Sequence, residues 1–157
     1  MGIDKLYRPV LAPGFKIQQP DGSHSDIQSS RVFLSAAQLM EMYVSPVPIL
    51  LAPSSGYAIV VELVEFEIIE GGTAFTAGGT ISLVYHGTNT PVHAGSILAS
   101  DLTGASGTTL IGLGPSVATN GITIPAGTGV DITNATQAFA TGNGAAVVLI
   151  QYRIVEL

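Results

Sequence analysis

The hydrophobic pattern is densest at Tyr57–Ile69, a run of β-branched and large apolar residues with no Gly or Pro. Gly56 precedes it and Gly71-Gly72 follow Glu70, so turn-forming residues bracket it. From 57 to 61 both parities are apolar. Beyond that, Glu62 falls among even positions while Glu65 and Glu67 fall among odd ones. This change predicts a strand covered on both faces in its first half and half-exposed afterwards, with a bulge or twist near Leu63. One face meets the domain core and the other needs a cover, which a neighbouring subunit can supply. Ile59, Val61 and Leu63 are the residues this reading assigns to a subunit interface.

Around that strand the chain divides into two regions. Residues 1–33 hold Pro9, Pro13, Pro20, Gly14 and Gly22 without clear periodicity, yet Tyr7, Val10, Leu11, Phe15 and Ile17 are spaced as anchors. They read as an extended N-terminal arm that packs along a surface. Residues 34–157 read as the folded domain. One short helix opens it: Ser35-Ala-Ala-Gln38 has the form of a capping box, and Ser45-Pro46 ends the helical stretch. Leu39, Met40, Met42 and Tyr43 are then placed to plug one end of a β-structure. Strands are predicted over 47–52, 57–69, 80–85, 108–113, 121–124, 129–133 and 145–156, with a helical turn over 95–102. In the last strand Val148, Ile150, Tyr152 and Ile154 share a face opposite Gln151 and Arg153. Short strands separated by Gly, Asn, Thr and Pro, with no alternating βα pattern, predict an all-β sandwich or barrel.

Composition narrows the class. The chain has 157 residues, no Cys and 10% charged residues, which excludes disulfides and thiolate chemistry. The long uncharged stretches are broken by Gly, Thr, Ser and Asn, so no membrane span is predicted. No apolar leader is expected in the first residues. A low charge density with many small residues suits a subunit of an assembly. The net charge is −6, but Lys5, Arg8, Lys16 and Arg31 all lie in the first 31 positions. Beyond them Arg153 alone faces eight carboxylates, an acidic body that argues against nucleic-acid binding. The basic N-terminal stretch is either a solubility feature or an arm that docks on an acidic partner.

Candidate chemistry is sparse. Gly104-Ala-Ser-Gly107 lacks nucleophile-elbow spacing, and no phosphate-binding glycine loop occurs. His86 and His93 flank one loop with Asp101 nearby in sequence, which makes a metal site conceivable, although exposed loop histidines commonly have no ligand role. Glu62, Glu65, Glu67 and Glu70 form the densest carboxylate group. Glu65 and Glu67 fall on one face, where they either pair as acid and base or keep a sticky strand soluble and correctly paired. Asn134-Ala-Thr136 matches a glycosylation sequon. No catalytic, metal or cofactor residue is assigned, and the chain is read as a non-enzyme.

Three stretches together carry a resemblance. They are Leu34-Ser-Ala-Ala-Gln-Leu-Met-Glu-Met-Tyr43 with Pro46-Val-Pro-Ile-Leu-Leu-Ala-Pro53, Thr73-Ala-Phe-Thr-Ala-Gly-Gly-Thr80 with Leu83-Val-Tyr85, and the segment 131–144 leading into the last strand. They resemble the capped helix, first hairpin and closing segment of tailed-bacteriophage capsid decoration (cement) proteins, over most of 34–157. The resemblance implies a jelly-roll-like antiparallel β-sandwich, made in the host cytoplasm, assembled as a homotrimer and bound to the major capsid protein on the outer capsid surface. Lys5, Arg8, Lys16 and Arg31 are the expected capsid-docking residues. The alternative is a phage tail-tip or fibre receptor-binding module that recognises host surface glycan through loops such as 86–93.

Overall fold

A computed structural model describes residues 17–18, 24–25, 27–92, 96–104, 107–113 and 123–157. Strands β1 (Ile17–Gln18) and β2 (His24–Ser25) form a small antiparallel pair ahead of the body. The body begins with β3 (Gln28–Leu34) and α1 (Ala36–Glu41). It continues through β4 (Val47–Leu50), β5 (Tyr57–Ile69), β6 (Thr76–Ala77) and β7 (Ile81–Tyr85). After α2 (Ala99–Thr103) come β8 (Thr109–Leu113), β9 (Val130–Asn134), β10 (Phe139–Ala140) and β11 (Ala145–Glu156).

Two antiparallel sheets face each other. One has the order β3-β11-β5-β8 and the other β4-β9-β7. Each step along the seven long strands changes sheet. The pairing is nested: β3 joins β11, β4 joins β9, and β5 joins β8. The innermost pairing continues from β7 to the segment after it through the bridges Val84↔Pro91 and Ile81↔Ile97. The backbone is thus one long antiparallel ribbon wrapped over itself, closed sideways where β11 meets β5 and β9 meets β7. The all-β sandwich expected from the sequence is the observed architecture.

The core lies between the sheets. Leu34, Val64, Phe66, Ile68, Val148 and Ile150 from the larger sheet pack with Ile81, Leu83, Tyr85, Val130 and Ile132 from the smaller. Tyr85 is buried, and its hydroxyl donates to the Ile59 carbonyl at 2.8 Å, a bond from one sheet to the other. One end of the sandwich is closed by α1. The Ser35 hydroxyl accepts from the Gln38 amide and the Ser35 amide donates to Gln38 Oε1, the capping box read from the sequence. This fixes the helix start and turns Leu39 and Met42 into the core, while Tyr43 stays exposed. A satellite pair, β6 with β10, is held by an edge-to-face contact of Phe75 and Phe139 at 5.8 Å.

Two expectations need correction. Residues 1–33 read as an arm from the sequence, but Gln28 to Leu34 pair with Tyr152 to Ala146, so the sheet begins at residue 28. Seven residues with only Val32, Phe33 and Leu34 as large apolar groups give a weak strand signal by themselves; partnership with β11 makes the strand. The strand expected over 121–124 is not observed at Thr123 and Ile124, and its other residues lie outside the described ones.

Candidate functional site: the outer face of the large sheet and a histidine–aspartate pair

The side of the large sheet that faces away from the core is set by one irregularity. Along β5 and β11, Leu63 pairs with Gln151 and Val61 with Tyr152, so Glu62 is an extra residue in the ladder. A bulge of this kind shifts side-chain parity along one strand. Ile59 and Val61 point inward before it, and Val64, Phe66 and Ile68 point inward after it. Glu62 is held there by Arg153, which donates from Nε to Glu62 Oε1.

The bulge overturns the proposed subunit face. Ile59 and Val61 belong to the chain's own core and are not available to a neighbour. Leu63 alone of the three is on the outer side, half-buried beside Gln151. Ala58 is also buried and Val60 half-buried, so most of the doubly apolar start of β5 is covered within the chain, while Tyr57 stays exposed.

The outer face is built in cross-strand rows. One row runs Phe33, Val147, Glu67, Leu110 over all four strands, and the next runs Arg31, Leu149, Glu65, Gly112. Phe33 and Leu110 are 60% and 65% exposed at the two edges. Arg31 reaches across β11 to Glu67 at 3.7 Å. Glu65 has no ion-pair partner among the described residues. Gly112 places no side chain opposite Glu65, and the face holds a depression of about 240 Å³ lined by Arg31, Glu65, Glu67, Leu110, Val147 and Leu149. Arg31 therefore sits on a strand within the sheet and not on the arm. Lys5, Arg8 and Lys16 lie outside the described residues.

A second feature sits on the smaller sheet. His86 Nδ1 is 2.7 Å from Asp131 Oδ2, with the carboxylate buried and the imidazole largely exposed. Asp131 lies in the middle strand of its sheet, between Pro48 and Val84, and the turn after β7 brings His86 over it. With the carboxylate on Nδ1, Nε2 is left toward solvent. A depression of about 340 Å³ adjoins the pair, lined by Pro48, Leu50, Leu51, Ala52, Thr128 and Gly129. The two residues are 45 positions apart, and no local motif links them.

Two of the three residues of the conceivable metal site are engaged elsewhere. His86 is engaged by Asp131, and the Asp101 carboxylate accepts from the Leu98 amide at 2.9 Å at the start of α2. His93 lies outside the described residues. Among the described residues no group of three His, Asp or Glu side chains is arranged to hold a metal ion. Of the four glutamates, Glu62 faces Arg153, Glu67 faces Arg31 and Glu70 accepts from the Gly107 amide, while Glu65 shares the outer face with Glu67. Asn134, the sequon asparagine, is 2% exposed inside β9, a position with no room for a glycan.

No protein-family model matches the chain. No curated protein matches it either. Among solved structures it is similar to a chain of the cyanophage Pam1 capsid asymmetric unit, with 16% identity over 82% of this chain and 85% of that one, at a TM-score of 0.49. At that level of overlap the likeness assigns no role.

Proposed function

We propose that this protein is a structural component of a phage virion, a non-enzymatic decoration protein that binds the outside of the head as a trimer and stabilises the capsid lattice. The observation that carries the reading is the nested pairing of β3 with β11, β4 with β9 and β5 with β8. An antiparallel ribbon wrapped in this way supports a jelly roll, an arrangement used by capsid and lectin domains. The resemblance of residues 34–157 to decoration proteins points to the first of these. Binding only to the assembled lattice would stabilise it by mass action.

The trimer is supported by the low charge of the chain and by exposed apolar groups such as Val44, Leu51 and Leu98. The buried start of β5 no longer contributes to that argument. The test is immunogold labelling of the particles that carry this chain, together with absolute mass in solution by light scattering. Label over the head and a mass three times that of the chain are expected. Unlabelled particles would remove the virion reading, and a monomer would remove the trimer.

A second reading has one observation in its favour. The exposed imidazole of His86 beside the 340 Å³ depression offers a small binding site near the loop expected to contact glycan. Label confined to the tail tip, with saccharide binding lost in His86→Ala, would favour the receptor-binding module.

A further inference from the structure

We propose that the outer face of the large sheet is the docking site for this chain's own residues 5–16. The inference is independent of the virion reading. It starts from a face that is incomplete. Phe33 and Leu110 stand exposed at its edges, Val147 and Leu149 lie between them, and the depression holds two carboxylates, Glu65 and Glu67, against one cation, Arg31. The two cations of the described body, Arg31 and Arg153, already face Glu67 and Glu62. What the face lacks is an apolar segment with positive charge.

Residues 5–16, Lys-Leu-Tyr-Arg-Pro-Val-Leu-Ala-Pro-Gly-Phe-Lys, have that composition: Lys5, Arg8 and Lys16, no carboxylate, and Leu6, Tyr7, Val10, Leu11 and Phe15 as apolar anchors. Pro9 and Pro13 cannot donate to a β-ladder, so the segment suits packing on a sheet face better than adding to its edge. The chain also delivers it to the right place. It enters the body at β3, the edge strand of this sheet, and β1 pairs back on β2 just before, so little distance separates residue 17 from that edge. Twelve extended residues span about 40 Å, against a width of roughly 19 Å for four strands. A segment tethered so closely acts at an effective concentration in the millimolar range. That favours the same chain over a second copy or a foreign acidic surface.

The test uses the full chain, which has no native Cys, so single introduced thiols report directly. In Leu110→Cys the thiol replaces an exposed side chain. Its labelling at low salt should be about tenfold slower than in the same protein carrying K5E, R8E and K16E. Labelling of Thr88→Cys, on the exposed turn after β7, should be unaffected by the three charge reversals. Slow labelling of Leu110→Cys should persist on dilution over a hundredfold range of protein concentration. Equal rates with and without the charge reversals would overturn the proposal, as would protection that fades on dilution, which is the signature of a second copy. Particle labelling and solution mass are read separately, so failure here leaves the virion reading untouched.

Discussion

Tyr85 concentrates two properties at a single residue. Its ring fills the core between the sheets, and its hydroxyl is bonded to the Ile59 carbonyl. Replacing it with Phe keeps the packing and removes the bond, at a cost of about 1–2 kcal/mol, measurable as a lower urea midpoint. Burial also raises the phenol pKa above its ordinary value. The folded state therefore resists forming the phenolate. The associated stability is fully present below the unfolded tyrosine value and is lost as pH rises through the folded one. Alkaline unfolding of the parent protein should steepen in that range, and the contribution should be missing from Tyr85→Phe. An identical alkaline limb in both would show that Tyr85 is not responsible. Gly142 makes a different local demand: its φ is +98°, and a Cβ there would meet the Phe75 ring. Gly142→Ala should destabilise by about 2 kcal/mol or more, from strain and clash together.

At the scale of elements, β5 shows both the reach of sequence reasoning and where it stops. Its limits were legible, because an uninterrupted apolar run between glycines has one natural reading. A bulge near Leu63 was legible too, from the change in glutamate parity. The side on which each residue falls was not, since parity counted through a bulge inverts. That is why Ile59, Val61 and Leu63 read as one face when the first two are core. The rows of the outer face also depend on pairings of distant strands. Nothing local to Phe33 announces Val147, and nothing local to His86 announces Asp131. The capping box, by contrast, spans three residues and was readable in full. The bulge itself is testable. Deleting Glu62 removes the extra residue and leaves Val61, Leu63 and Val64 in regular alternation, so the fold should persist with a loss of about 1–2 kcal/mol. Deleting Glu65 shifts Phe66 and Ile68 to the outer side and should abolish folding. Circular dichroism and urea melts of the two deletions separate these outcomes. Two equally unfolded proteins would mean that the bulge geometry is itself required.

For the whole molecule, the nested ribbon makes the first long strand wait for the last. Leu34 pairs with Ala146 and Gln28 with Tyr152, so the edge of the large sheet closes only when the chain ends meet. Pairings this distant in sequence carry a large loop-closure entropy and slow folding. The same geometry offers a remedy, because Gln28 and Tyr152 are neighbours and the Tyr152 hydroxyl donates to Gln28 Oε1 at 3.0 Å. Joining Leu157 to Met1 and opening the chain at the exposed turn after β7 keeps β3–β11, β4–β9 and β5–β8. It also makes β3 and β11 local partners across a linker of about 30 residues in place of about 110. A loop shorter by roughly fourfold lowers the closure cost by about 1.2 kcal/mol. If the β3–β11 pairing forms in the transition state, refolding should accelerate by roughly fivefold to tenfold in stopped-flow fluorescence, while unfolding changes little. An unchanged refolding rate with the fold retained would place the nucleus at β4 with β9, whose loop the new connection hardly alters, and a slower rate would place it at β5 with β8, whose loop the new ends lengthen.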